Sequence, residues 1–283
     1  LTDVRAELLA SVAVPLTSSE PAEVARLIGE TLRTLSPNTT AGVGISLAGS
    51  VHDGVIDFSP FLDWSRVPFA DLVHDHVGVP VTVENDLVAL TEAERWFGVG
   101  RGISGFTVIT IGAGVGYGLV VNGEVIRSHD VGVGLAGHLP LSANGPVCHE
   151  GHRGCSQAML TSGSIAAQIS ASLQRRVEYD EALALAASGH PAARTVVDAA
   201  AEALGRFIAL AANLSLQSTT VLAGDGIGLY AVAKDRVDAA ASSGRDPRAD
   251  PLHIHVDDTG FIAWARGAAA IAIQAAVDRI RLD

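Results

Sequence analysis

Three clusters of residue types carry chemical potential in this chain. The densest is Cys148-His149-Glu150-Gly151-His152-Arg153-Gly154-Cys155, preceded ten residues earlier by Gly137-His138. Thiolates and imidazoles gathered on one coil suit tetrahedral zinc, although buried thiols also pack as small hydrophobes. The second cluster is Glu84-Asn85-Asp86 at the end of the apolar stretch Val81–Val83. Asn and Asp there cap a following helix, or they bond ligand hydroxyls with Asp86 accepting a proton. The third is glycine: Gly112, Gly114, Gly116 and Gly118 fall at every second position. Gly224-Asp225-Gly226 repeats the idea after Thr219–Leu222. Such turns let backbone approach a ligand and offer N–H groups to phosphate, and they also occur as plain glycine-rich hairpins.

The elements that must position these groups alternate in type. Arg5–Leu16 alternates enough for a strand. Pro21 to about Leu35 reads as a helix behind Ser19, and Ala41–Leu47 as a buried strand closed by Gly49. Val81–Val83 feeds a helix from Asn85-Asp86 to about Phe97, and Gly105 onward gives paired strands. A coil holds the histidines and cysteines from Gly134 to Cys155. Beyond Ser162 the pattern is helical, with Phe207–Leu216 as a buried stretch and strands at Thr219–Leu222 and Leu252–Val256. Arg245–Pro251 is a loop, and a last helix runs from about Thr259 to Leu282. This order predicts an α/β fold with a lobe boundary near residues 98–105.

Composition narrows the function classes. The 283 residues are 48% hydrophobic and 18% charged, the balance of a folded chain. With 19 basic and 31 acidic residues, the net charge of −12 repels phosphate backbones. Two cysteines are too few for a disulfide scaffold. No signal peptide and no uninterrupted apolar run of about 18 residues is visible, so a cytoplasmic protein without membrane contact is expected.

Taken in order, the motifs resemble one family, ROK (repressor, open reading frame, kinase). Its E-N-D motif reads Glu84-Asn85-Asp86, and its G-T-G-x-G-x-G loop includes Gly112-Ala113-Gly114-Val115-Gly116. Its G-E-x-G-H reads Gly134-Leu135-Ala136-Gly137-His138, and its G-x-x-C-x-C-G-x-x-G-C-x-E runs from Gly145 to Gln157. Leu222–Gly226 and Arg266-Gly267-Ala268-Ala269 also match. The resemblance implies a two-lobed, actin-like ATPase (ribonuclease-H-like) fold with ligand in the cleft. It places an N-terminal lobe at 1–103, completed by a C-terminal helix at 268–283. The second lobe spans 104–267 and carries a zinc loop at 137–155. The family's phosphate-binding Asp-x-Gly-x-Thr turn is expected upstream of Leu1.

The resemblance also assigns roles. Asn85, Asp86, His138 and Gln157 would meet a sugar; Gly112, Gly114, Gly116, Gly224 and Gly226 are the phosphate and nucleotide-loop positions. His138, Cys148 and Cys155 would bind Zn2+, with Glu150, at the place of the middle cysteine, or His149 or His152 as the fourth ligand. The departures bear on activity. Leu135 replaces a glutamate that contacts sugar hydroxyls, Gln157 another glutamate, Ala113 the loop threonine, and Phe61 an asparagine near the cleft. A leucine facing a hydroxyl leaves it unpaired at a cost of about 1–3 kcal/mol. These losses favour the sugar-sensing effector domain of a transcriptional regulator, a repressor, over an ATP- and Mg2+-dependent sugar kinase with Asp86 as general base. Such a regulator is expected to reach operator DNA through an upstream helix-turn-helix module and to pair as a homodimer.

Overall fold

The computed structural model describes residues 1–35 and 40–282. Two compact units divide the chain: Leu1–Ile103 with Val125–Val133 and Phe261 onward, and Ser104–Glu124 with Gly134–Gly260. The boundary after Ile103 falls where the sequence changes character. Residues 125–133 and 261–267, expected in the second lobe, group with the first unit.

The first unit begins with a segment that the sequence suggested as a strand. Instead, Asp3 Oδ1 accepts the N–H groups of Arg5 and Glu7 in a tight turn, and only a bridge between Thr2 and Leu8 is strand-like. The alternation at Val12, Val14 and Leu16 finds no partner strand among the described residues, and these side chains are exposed. A strand requires a neighbour for its backbone groups as well as a pattern.

Helix α1 (Pro21–Leu35) opens on proline, whose missing N–H costs nothing there. It is followed by β1 (Val43–Leu47), β2 (Ser50–His52), β3 (Val55–Ser59), β4 (Trp64–Val67), α2 (Phe69–Val77), β5 (Val81–Asn85) and α3 (Asp86–Phe97). Strands β1 and β5 pair in parallel with Leu47 opposite Asn85, and β2-β3-β4 form an antiparallel meander. Ile56, Trp64, Phe69, Val73 and Val83 make the core of this unit, backed by Ile28 and Ile45.

In the second unit, β6 (Phe106–Ile111), β7 (Val115–Val121), β8 (Glu124–Val125), β9 (Thr219–Ala223) and β10 (His253–Val256) form one sheet in the order β10-β9-β6-β7-β8. The unit border falls within β8. All six residues of β6 and all five of β9 are buried, as central strands covered on both faces must be. Helices α4 (Ser156–Leu160), α5 (Ser162–Leu173), α6 (Tyr179–Ala187), α7 (Pro191–Ser215) and α8 (Gly228–Ser243) build its core. In α7, Val197, Leu204, Phe207 and Ile208 are buried, whereas Leu214 and Leu216, expected inside, are exposed at the helix end.

The chain then returns to the first unit as α9 (Phe261–Leu282). Its stretch Phe261–Arg279 is long and apolar enough by composition to cross a membrane, although Arg266 and Asp278 interrupt it. The helix instead packs on α3 and β1: a Cβ on Gly267 would sit 2.8 Å from Ala89 C, and one on Gly44 only 1.7 Å from the Ala268 carbonyl oxygen. Gly44→Ala is therefore expected to lower stability by about 2–3 kcal/mol, since backbone must move to admit the methyl. Gly114→Ala, with open space around it, is expected to stay within about 0.5 kcal/mol. Urea denaturation of the two variants checks this.

Candidate functional site

In the first unit, the parallel β1–β5 pair carries Asn85 to the start of α3, where it is the N-cap and nearly fully buried. Its Oδ1 accepts from Leu87 N (3.0 Å) and Val88 N (3.1 Å). Its Nδ2 donates to the Gly49 carbonyl (2.9 Å) and to Asp86 Oδ1 (3.1 Å). The amide thus has both hydrogens and its oxygen engaged inside the protein. Asn85, expected from sequence as a sugar contact, therefore has its polar atoms engaged within the protein and holds the neighbouring Asp86.

Asp86 is the first residue of α3, and its Oδ1 also accepts from Leu87 N (2.8 Å). Burial pushes its carboxyl above the ordinary carboxylate value, and the bonds from backbone and Asn85 only partly offset that. A carboxylate so placed is a stronger proton acceptor than a solvated one.

Behind this pair lies a charge network that the sequence analysis missed. Glu84 Oε1 accepts from Asn85 N (2.9 Å), and Arg127 reaches Glu84 Oε2 (3.4 Å) and Glu92 Oε1 (2.8 Å). Glu92, 1% exposed, also receives Arg95 at 2.8 Å. Arg127 lies on the segment 125–133, which is held to the rest of the first unit at two further points. His129 stacks on His52 at 4.7 Å between centroids, and Gly132 meets the backbone of Gly49 closely enough that a Cβ would come within 2.0 Å of its oxygen. No local motif encodes contacts 35 or more residues apart.

In the second unit, the expected nucleotide-loop glycines come together, but largely on one another. Gly226 N donates to Ile111 O (2.8 Å), and Cβ atoms on Gly224 or Gly226 would lie 2.5 and 2.9 Å from Ile111 backbone. Gly112 N bonds Gly114 O (3.0 Å), and Gly112 O accepts from Ser162 N (2.9 Å). Gly116 sits in β7 opposite Thr110, leaving Gly114 as the glycine with free space. Tyr179 donates to Gly226 O (2.7 Å), and burial pushes its hydroxyl up to about 12.

The coil from Gly134 to Cys155 folds by isolated bridges rather than strands. Leu135–His138 form a 3-10 turn, the Pro140–Cys155 bridge brings Cys155 beside that turn, and the Val147–Arg153 bridge closes a hairpin on Gly151. His138 Nδ1 lies 3.8 Å from both Cys148 Sγ and Cys155 Sγ. His152 Nδ1 is 3.7 Å from Cys148 Sγ and 3.1 Å from His138 Nδ1. Glu150 Oε2 instead meets His138 Nε2 at 3.1 Å. His149 is mostly exposed, its nearest charged contact being Glu150 at 3.7 Å. Burial raises the Cys148 thiol, but N–H groups of Glu150 and His152 and the Cys155 side chain together hold it below its ordinary value; burial raises Cys155. Sulfur and imidazole donors converging on one point fit a zinc ion. Nearby, Gln157 Oε1 would stand 3.2 Å from a Cβ on Gly137, and Leu135 is 64% exposed. Phe61 is exposed in the first unit.

The raised Asp86 value generates a stability prediction. Folding favours the neutral form, so the cost of holding the carboxylate charged is absent below the unfolded value near 3.8 and complete above the folded value. Asp86→Asn is expected to melt higher than the parent chain at pH 7, with the difference vanishing towards pH 4. Melting temperatures across that range check it, and a constant difference would remove burial as the cause.

A family model described as "ROK family" matches residues 1–275. A glucokinase of Thermotoga maritima is 38% identical over 148 residues, 50% of this chain and 46% of that protein. A putative xylose repressor of Caldicellulosiruptor sp. is 30% identical over 139 residues, 48% of this chain and 35% of that protein. Aligned segments thus span about a third to a half of these relatives' length. A solved ROK family transcriptional regulator, a homolog of the E. coli MLC protein, superposes with a TM-score of 0.87 at 23% identity, covering 98% of this chain and 74% of that one. A ROK family glucokinase from Streptomyces griseus, in complex with glucose and AMPPNP, gives 0.79 at 23% identity over 96% and 94%. Fold and motifs agree: this chain has the actin-like ATPase fold and belongs to the ROK family.

Proposed function

We propose that this chain is the sugar-sensing effector domain of a ROK-family transcriptional regulator, acting as a repressor. The observation that carries the reading is Leu135. It stands where the family's G-E-x-G-H motif has a sugar-contacting glutamate, on the 3-10 turn that ends at His138, with its apolar side chain exposed. The turn has kept its backbone and lost its hydroxyl acceptor. Gln157 and Ala113 remove a carboxylate and a hydroxyl at two further positions, while Asp86 is retained with a raised proton affinity. A domain with one strong acceptor and weakened supporting contacts suits binding more than turnover, because phosphoryl transfer depends on complete positioning and charge stabilisation.

Differential affinity of a sugar for two conformations is sufficient to make such a domain a switch. With a net charge of −12, the chain leaves DNA contact to a basic helix-turn-helix module, and pairing as a homodimer would match a palindromic operator. Zinc held by His138, Cys148 and Cys155 would act structurally, cross-linking the coil that carries Leu135 and His138.

A second reading, an ATP- and Mg2+-dependent sugar kinase, is favoured by Asp86, a carboxylate suited to general base duty, and by the glucokinase relatives. Two measurements separate the readings. Titration calorimetry against a panel of pentoses and hexoses is expected to find a binding sugar, with Asp86→Ala removing the heat. A coupled ADP-release assay on the full-length protein is expected to stay at background. Steady turnover near about 1 per second with any of these sugars would make the protein a kinase.

A further inference from the structure

We propose that the fourth metal ligand of this chain is His152, and that Glu150, although it occupies the place of the family's middle cysteine, is the outer carboxylate that orients His138. The inference rests on the zinc reading above and adds which residue completes the site.

The first support is the size of the polyhedron. With Zn–S about 2.3 Å and Zn–N about 2.0–2.1 Å, a tetrahedral ion sets ligand edges of about 3.3 Å for N···N and about 3.6 Å for N···S. The His138 Nδ1–His152 Nδ1 separation is 3.1 Å, and the three nitrogen–sulfur separations given above are 3.8, 3.8 and 3.7 Å. His138, Cys148 and Cys155 gather within 4.8 Å of one another, and His152 stands at edge distance from two of them, His138 and Cys148, so that a shift of its ring toward Cys155 closes the polyhedron. Glu150 Oε2 stands 3.8 Å from His152 Nδ1 but meets His138 at Nε2, whereas the two sulfurs face the Nδ1 of that ring.

The second support is the hairpin. Cys148 N donates to His152 O (2.9 Å) and Gly151 N to Cys148 O (3.0 Å), with Gly151 at φ +87°. This turn returns residue 152 directly beside Cys148. Glu150 stands at the tip of the turn, half exposed, and reaches back to His138 Nε2. A metal-bound histidine commonly donates its second N–H to a carboxylate, which fixes the tautomer and raises ligand basicity. The two roles are therefore compatible on one imidazole: Nδ1 on the ion, Nε2–H to Glu150. The resulting site is Cys2His2, whose two thiolates neutralise the ion, where a Cys3His site would carry one negative charge.

The test uses Co2+ as a spectroscopic probe on the reduced, metal-stripped chain, with zinc competition for affinity. The parent chain is expected to bind one Co2+ with the strong visible bands of tetrahedral coordination and the near-ultraviolet charge transfer of two thiolates. His152→Ala is expected to weaken binding by at least a hundredfold and to alter the visible bands. Glu150→Gln is expected to keep both band positions and lose about tenfold to a hundredfold in affinity, the range for an outer partner. His152→Cys is expected to retain the ion with stronger charge transfer, which also shows that the hairpin still folds. Bands unchanged in His152→Ala but changed in Glu150→Gln would make Glu150 the ligand and overturn the proposal. A parent chain that takes up neither Co2+ nor Zn2+ would overturn the zinc reading itself, leaving the four donors as a hydrogen-bonded cluster.

Discussion

The first unit is organised around one buried amide. Asn85 ties together three pieces of backbone: the end of β5, the first turn of α3 and the Gly49 carbonyl after β1. A helix start leaves several N–H groups without intrahelical partners, and a buried one must be capped from within. The same amide fixes Asp86 by a second hydrogen on Oδ1, so the carboxylate is held in a site whose burial raises its proton affinity. Burial raises the proton affinity of Asp86, and the Asn85 amide, which opposes that rise, fixes where the carboxyl sits. Within the E-N-D motif, Asn85 thus positions its neighbour.

Glycine performs a comparable service in the second unit. The β6–β7 turn and the Gly224–Gly226 turn lie backbone against backbone, and side chains at 224 or 226 would collide with Ile111. Such packing accounts for these glycines before any nucleotide is invoked. It also explains why glycine spacing by itself is a weak functional signal. The sequence pattern is the same whether the close approach is to phosphate or to another strand end, and of Gly112, Gly114, Gly224 and Gly226 it is Gly114 that faces open space.

Much of the frame was legible because it is encoded locally. The apolar run into Asn85-Asp86, the alternating strands around Gly112 and the proline-led α1 each state their own structure within a few residues. The gathering of His138, Cys148 and Cys155 was legible from residue type and order. That His152 stands beside His138 and Cys148 was not, because it depends on where the hairpin turns. The Arg127–Glu92 pair had no signature at all, since it is a tertiary contact within the first unit between residues 35 apart in sequence. Residues 5–16 failed in the opposite sense. Their alternation is real, but no strand edge receives it.

The distribution of change across the two ligand regions supports separate demands on them. Positions that hold backbone in place are kept: Asn85 at its cap, Gly137 against Gln157, Gly154 where a side chain would meet Ser142. Positions whose side chains reach outward have drifted, with Leu135 and Phe61 exposed and apolar. Loss of an outward hydroxyl acceptor costs binding energy without costing stability, whereas loss of a cap or a close-approach glycine unfolds its surroundings. In the coil, Glu150 stands at the turn tip, where the resemblance has a cysteine, and the hairpin returns His152 beside Cys148 and His138.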